Sequence, residues 1–246
     1  MKSRTQIWSS GGGVQSTAIA ALIVKGELTP DLAIIVDTER ESSTTWEYHN
    51  NIVCPALKDV GVKLHRIRKS KYATVDLFSG NTLLVPVYTE TGKFPTYCSA
   101  EWKVRVLQRW AVREYGVKQA TVWLGITVDE LKRVKQPIGK WQNHYPLIDR
   151  RMSRGDCLAL IDTMGWPPPP RSSCWMCPNH TKKEWADQKQ KGGSDWDRAV
   201  LLEKYLQSKD DEVYLAEPGV SLENMEFGDG GQMAFTGLCD SGYCFT

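Results

Sequence analysis

The sequence lacks any run of about 18 apolar residues, the length a membrane-spanning helix requires. A signal-peptide pattern is missing as well. Met1–Ile7 is polar and leads straight into an expected strand, so a cytoplasmic setting without a membrane partner is expected. Excess charge of one sign is also absent. The net charge is +2 over 246 residues, which removes bulk charge as an argument for a nucleic-acid partner and leaves only local patches. Lys63–Lys71 and Lys132–Lys140 are such patches, and a solvated surface is the plainer account of both. Internal repeats and low-complexity tracts are missing. Pro167–Pro170 is the one proline-rich piece and reads as a rigid spacer. What remains is ordinary for a globular chain, with 41% hydrophobic and 24% charged residues, enough for one α/β domain with an appendage or two small domains. Seven cysteines in a non-secreted chain argue against a disulfide framework and point to thiols, metal ligands or redox groups.

The first part of the chain alternates strand and helix. Strands are expected at Thr5–Trp8, Leu32–Val36, Val62–Ile67 and Ala120–Gly125, and helices at Ser16–Val24, Thr44–Leu57 and Ala100–Tyr115. Leu32–Val36 has no polar alternation, as a strand buried on both faces should. This order predicts an α/β fold, a doubly wound parallel sheet over about Thr5 to Leu147, with its ligand site at the carboxyl ends of the strands. From about Asp149 the character changes. Helices are expected at Arg154–Met164, Lys182–Lys191 and Ser194–Ser208, and the glycine-rich end Phe227–Thr246 has no periodicity. The expected division is a nucleotide-binding domain over residues 1–148 and a smaller cysteine-containing helical module over 149–246.

Between the first strand and the first helix lies Ser9-Ser10-Gly11-Gly12-Gly13-Val14-Gln15-Ser16-Thr17. Three glycines let the backbone approach an anion, unpaired N–H groups and the helix dipole favour negative charge there, and Ser10, Ser16 and Thr17 add hydroxyls. Phosphate is the natural ligand, and a tight turn that binds nothing is the alternative. No lysine follows the glycines, so this is not a Walker loop, and G-x-G-x-x-G also fails.

The loop resembles the PP-loop signature S-G-G-x-D-S, with Gly11 at the first serine and Gln15 at the aspartate. Those departures resemble the PAPS reductase branch and PAPS-reductase-like proteins often encoded by phages and prophages. Further segments are similar to that family in order: Asp37-Thr38 with Glu41 and Trp46-Glu47-Tyr48, Tyr97–Lys103, Leu124–Glu130 with Arg133, Tyr145-Pro146-Leu147, Arg154–Cys157 and Ser173–Pro178. Glu39 stands where the family usually has glycine.

The resemblance implies an enzyme that binds ATP and cleaves it between the α and β phosphates. An acceptor oxygen is adenylated, pyrophosphate leaves, and a nucleophile, often sulfur, displaces AMP. Ser10, Gly11, Gly12, Gly13, Gln15, Ser16 and Thr17 would hold the phosphates, with adenine against the backbone near Val36–Asp37 or Gly125–Ile126. Asp37 and Asp129 would hold Mg²⁺, although a helix cap or surface ion pair accounts for either carboxylate too. Lys103, Arg133 and Arg154 would neutralise phosphate charge. The partners are an adenine nucleotide and an acceptor left open among tRNA, DNA and a small sulfur metabolite, and a homodimer also stays open.

Cys174-Trp-Met-Cys177 has the C-x₂-C spacing that lets two thiolates reach one ion. Cys98 and Cys157 lie in family-like segments beside Lys103 and Arg154, whose charge favours thiolates. Cys98, Cys157, Cys174 and Cys177 are therefore expected to form one metal site, with His180 in reserve and Cys54 as core packing. Four thiolates suit Zn²⁺ or a [4Fe–4S] cluster. Sulfur-transferring proteins similar to this one favour the cluster, whereas zinc implies a structural clip. Two other readings stay open. One is a PAPS or APS reductase-like oxidoreductase, although the E-C-G-L-H segment is absent and Leu238–Cys244, with Cys239 and Cys244, is only a loose echo. The other is a non-catalytic nucleotide- and zinc-binding module, consistent with Gln15 in place of aspartate.

Overall fold

The computed structural model describes residues 4–227. In chain order the elements are β1 (Thr5–Ser10), α1 (Val14–Val24), β2 (Leu32–Asp37), α2 (Ser43–Tyr48), α3 (Cys54–Asp59) and β3 (Leu64–Arg68). Four short strands follow: β4 (Phe78–Ser79), β5 (Thr82–Leu83), β6 (Tyr88–Thr89) and β7 (Gly92–Lys93). Then come α4 (Arg105–Tyr115), β8 (Ala120–Trp123), β9 (Trp141–His144), α5 (Pro146–Asp149), α6 (Arg154–Thr163), α7 (Lys182–Lys191) and α8 (Ser194–Gln207).

The chain forms two compact units that interleave in sequence, Met1–Ala73 with Trp102–Ser172 and Thr74–Glu101 with Ser173–Thr246. The division expected at residues 148/149 differs from this in two places. The sheet unit runs on to Ser172, because α6 buries Cys157 and Ile161 in its core. Residues 74–101, between β3 and α4, belong to the second unit.

The sheet unit is an α/β fold whose five strands are all parallel, in the order β3-β2-β1-β8-β9. Trp8 of β1 pairs with Ala33 of β2 and Trp123 of β8, and all three enter one apolar cluster with α1, α3, α5 and α6. Ile7 and Ile34, one residue along, point to the opposite face by strand alternation. There α4 packs near β2 and β3, burying Val106, Leu107 and Trp110. Helix α1 has no polar face: Val14 and every residue from Ser16 to Ile23 are buried. Each large side chain of this kind, such as Ile19 or Leu22, contributes roughly 1.5–3 kcal/mol by leaving water.

The helix expected over Thr44–Leu57 is present as α2 and α3, joined by a widened π turn at His49–Val53. Pro55, in the first turn of α3, has no N–H for the carbonyl one turn back and crowds it, so the preceding turn opens. A second π turn, Ala100–Val104, leads into α4. β9 was not expected from sequence. It is an edge strand of polar, half-buried residues, Trp-Gln-Asn-His, without the apolar run of β2.

In the second unit, β4–β5 and β6–β7 are antiparallel hairpins, and Tyr88 bridges to Tyr214. Helix α7 starts at a Thr181–Glu184 capping box. Glu203 of α8 is buried and accepts the N–H groups of Leu215 at 2.8 Å and Leu222 at 2.6 Å, which pins the segment after α8 to it. Burial raises the Glu203 carboxyl above its usual value, and those two N–H groups work against the shift. No helix among the described residues is long and apolar enough to cross a membrane.

Candidate functional site

Strand order reverses between β1 and β8, which makes the carboxyl ends of these two strands the topological switch point of the sheet. The glycine loop leaves β1 there and Gly125 follows β8. A Cβ on Gly125 would sit 2.9 Å from Ser16 N and 3.0 Å from Gln15 C, so glycine is what lets the two loops touch. Gly12 has φ +84, and a Cβ there would meet Thr45 Cγ2 at 2.9 Å and Ser172 Oγ at 3.0 Å. Glycine at position 12 is thus demanded by protein packing and by a left-handed backbone.

The loop is held by its own hydroxyls. Gly11 N–H donates to Ser16 Oγ at 2.8 Å and Gly12 N–H to Ser10 Oγ at 3.3 Å. Thr17 Oγ1 donates to Gly13 O at 3.1 Å, and Ser172 Oγ lies within hydrogen-bond distance of both Gly11 O and Glu41 Oε1, the latter at 2.7 Å, with one proton shared between the two acceptors. Glu41 is buried and faces Lys103 Nζ at 3.8 Å. His49, also buried, lies 3.5 Å from Ser10 Oγ through Nε2 and 3.1 Å from Thr45 O through Nδ1. Burial lowers its pKa, while Thr45 O and Glu41 work in the opposite direction. The π turn that starts at His49 and the one containing Lys103 supply two of these groups. Such turns recur at functional positions. Among the described residues Thr45 Oγ1 is buried without a hydrogen-bond partner.

Gln15 stands in a charge network. Its Nε2 donates to Glu130 Oε2 at 3.3 Å and its Oε1 accepts from Arg154 Nη1 at 3.4 Å. Glu130 Oε1 pairs with Arg133 Nη1 at 2.8 Å, with both side chains nearly buried. A carboxamide is the side chain that can give to a carboxylate and take from a guanidinium at once. An aspartate at position 15 would set two carboxylates against each other. The departure from the PP-loop pattern at this position therefore has a local electrostatic cause.

The expected cation-holding aspartates are placed differently from each other. Asp37, buried at the end of β2, accepts Glu39 N–H at 2.8 Å and is clasped by Arg66 through Nε at 2.9 Å and Nη2 at 2.7 Å. Arg66 in turn stacks on Trp46 at 3.6 Å. Asp129 is exposed; its Oδ2 accepts Arg154 N–H at 2.5 Å, at the start of α6, and Thr127 Oγ1 at 3.4 Å. Its Oδ1 accepts no hydrogen bond among the described residues. Ile126 is buried behind Gly125.

The four expected metal cysteines are divided between the two units. Cys157 is fully buried in the apolar cluster of the sheet unit, and burial pushes its thiol up to about 12, with Asp156 adding to the shift. A ligand must be a thiolate, and this environment opposes one. The favourable charge expected from Arg154 is present but outweighed. Cys98, Cys174 and Cys177 lie in the second unit, where Cys177 N–H closes a tight turn on Cys174 O at 2.9 Å. Among the described residues no group of three or more His, Cys, Asp or Glu is arranged to hold a metal ion. Cys54 is half-buried in α3, and Cys239 and Cys244 lie outside the described residues. Sequence reasoning missed Ser172, which follows the proline run with no motif of its own.

No protein-family model matches the chain, and no curated protein matches it. Among solved structures, the chain is similar to a phosphoadenylyl-sulfate (PAPS) reductase from Candida auris, solved as a phosphate complex. That match has 15% identity and a TM-score of 0.44, over 71% of this chain and 83% of that one. It is also similar to the U34-tRNA thiolase NcsA from Methanococcus maripaludis, solved with its [4Fe-4S] cluster. Here the identity is 14% and the TM-score 0.43, over 83% of this chain and 65% of that one, so this chain spans just under two thirds of the thiolase.

Proposed function

We propose that the sheet unit is a PP-loop-type ATP-binding enzyme. It binds ATP where β1 and β8 end and adenylates an acceptor for sulfur transfer or for nucleotide or nucleic-acid modification. The observation that carries this reading is the contact of Gly125 with Gln15 and Ser16, which sets a glycine loop at the switch point of an all-parallel sheet. An acceptor oxygen attacks the α phosphorus, the bond to the bridging oxygen breaks, pyrophosphate takes its electron pair, and the acceptor proton goes to solvent.

The residues have distinct parts in this scheme. Ser10 and Ser16 hydroxyls and the Gly11–Gly13 backbone receive the phosphates, joined by Thr45 Oγ1, which has a proton to give. Thr17 and Gln15 shape the loop, and Gly125–Ile126 offers backbone to adenine. Arg154 is the cation that reaches the loop, through Gln15. Lys103 and Arg133 are held by Glu41 and Glu130 and act as part of those pairs. Mg²⁺ fits Asp129 Oδ1 better than Asp37, whose charge Arg66 already meets; when bound, the ion would offset charge on the phosphate oxygens. A four-cysteine [4Fe–4S] or zinc site does not fit Cys157, whose burial in the apolar cluster opposes the thiolate a ligand must be. A second reading, nucleotide binding without turnover, is favoured by the locked carboxamide of Gln15.

Incubation with α-labelled ATP and candidate acceptors, read by chromatography, tests the proposal. AMP and pyrophosphate are expected. ADP and phosphate, or calorimetry showing no nucleotide bound, would refute it. Binding with no product across the acceptors would leave the second reading.

A further inference from the structure

The near-zero net charge of the chain conceals a strong separation. Residues Met1–Ala73 and Trp102–Ser172 carry 23 Lys and Arg against 13 Asp and Glu. The other unit carries 8 against 16. The sheet unit is therefore a polycation, a property that whole-chain composition hides and that attracts polyanions.

Within that unit the connection from β8 to β9 stands out. Partway along it, Glu130 holds Gln15 of the glycine loop and pairs with Arg133. Beyond them Leu131, Val134 and Ile138 are 57%, 42% and 78% exposed, interleaved with Lys132, Lys135 and Lys140. The side chains of these three lysines engage no carboxylate among the described residues. The backbone, by contrast, is tied down. Lys135 N–H donates to Tyr145 Oη at 2.8 Å, Lys140 O accepts from Arg4 Nη1 at 2.8 Å, and Gly139 O accepts from Arg4 Nη2 at 3.2 Å. An anchored loop that presents unpaired ammonium groups and apolar side chains to solvent is built to be covered. Ammonium groups meet phosphates, and apolar side chains meet sugars and base faces.

We propose that the β8–β9 loop is a docking surface for a nucleic-acid strand, with Lys132, Lys135 and Lys140 on its phosphates. The net charge of the whole unit favours a long polyanion over a small sulfur metabolite, and the attachment of the loop to Gln15 brings the strand to the edge of the glycine loop. That the strand is also the acceptor rests on the adenylation reading; the binding itself does not.

The test uses the full chain, a fluorescein-labelled single-stranded RNA of mixed sequence, the same sequence as DNA, and phosphatidylserine vesicles. Anisotropy is followed at about 50 and about 200 mM salt, values that bracket the range in which phosphate contacts weaken. The variant is Lys132→Ala/Lys135→Ala/Lys140→Ala, with thermal melting as the check on folding. Three single-strand phosphate contacts contribute a salt slope of about 2, so they account for about a 20-fold loss over that fourfold rise in salt. The wild type is expected to bind RNA or DNA with that dependence, and the folded variant to bind more weakly with a slope flatter by about 2. Failure to bind either oligonucleotide at low salt, binding unchanged in the variant, or binding to vesicles alone would each overturn the proposal. ATP binding is measured separately. Oligonucleotide binding without ATP binding leaves this surface standing and removes the proposed activity, and the converse result does the reverse.

Discussion

Gln15→Asp restores the residue that PP-loops usually carry and should make this protein worse. Gln15 Nε2 donates to Glu130 Oε2 at 3.3 Å, with Arg133 on the other oxygen at 2.8 Å. Aspartate is one methylene shorter and offers no proton at neutral pH, so two carboxylates would face each other at about 5 Å. At an effective dielectric near 20, that repulsion is about 3 kcal/mol. Arg133 and Arg154 offset part of it, and the lost hydrogen bond adds to it, for a net destabilisation of about 2 kcal/mol. In a unit of this size that lowers Tm by about 4–8 °C. Urea melts of the wild type, Gln15→Asp, Glu130→Gln and the double variant form a cycle that isolates the pair. With the second carboxylate gone, Gln15→Asp should lose most of its effect. A coupling below about 0.5 kcal/mol would refute the account of why this position departs from the pattern.

Gly125→Ala should part the β8 loop from α1, because its Cβ meets backbone at 2.9–3.0 Å. The expected result is a lower Tm and at least a tenfold (about 1.4 kcal/mol) weaker ATP affinity by calorimetry, since the loop would shift; a variant normal in both respects would remove the site. Cys157→Ala should cost about 1–2 kcal/mol through the small cavity it leaves and should not change the metal content of purified protein by elemental analysis. Native iodoacetamide treatment, followed by mass spectrometry, should leave Cys157 unlabelled until the chain unfolds; rapid labelling would contradict its burial. Burial lowers the pKa of His49, and burial together with Lys63 lowers that of His65, so the unfolded chain takes up protons that the folded one refuses. Their stabilisation is complete above pH 6.5 and is lost as pH falls through 6.5 towards the lower folded values. His49→Gln should flatten the stability profile there, and an unchanged acid slope would show that His49 is not the buried base described.

The sheet was legible because β2 and β8 are largely apolar runs between helices, and burial on both faces writes itself into sequence as continuous hydrophobicity, whereas polar-rich β1 was marked by the glycine loop that follows it. β9 carries no such signature, since an edge strand keeps half its surface wet. The glycine loop was legible because its residue types are demanding. Glu130 as the partner of Gln15 was not, because 115 positions separate them and nothing in either segment announces the pairing. Ser172 was invisible for the same reason. The cysteines misled because spacing describes reach along the chain, whereas ligation depends on solvation. Cys157 lies one residue after Asp156 in a capped helix whose inner face carries it into the apolar cluster. The two π turns were beyond a 3.6-residue template by construction, although Pro55 marks the first of them.

If the loop takes phosphate as proposed, the hydroxyls of Ser10 and Ser16 act as placeholders, because each accepts a loop N–H that the phosphate would claim. An arriving phosphate must therefore evict two oxygens, each of which can rotate and turn its own proton towards the newcomer. Hydrogen bonds are exchanged rather than gained, so their number changes little and the enthalpy they contribute should be small. The selectivity of such a loop then lies in geometry, in which anion can reach both amides while both hydroxyls still find an acceptor. A guest that satisfies only one of them leaves the other side of the loop shut.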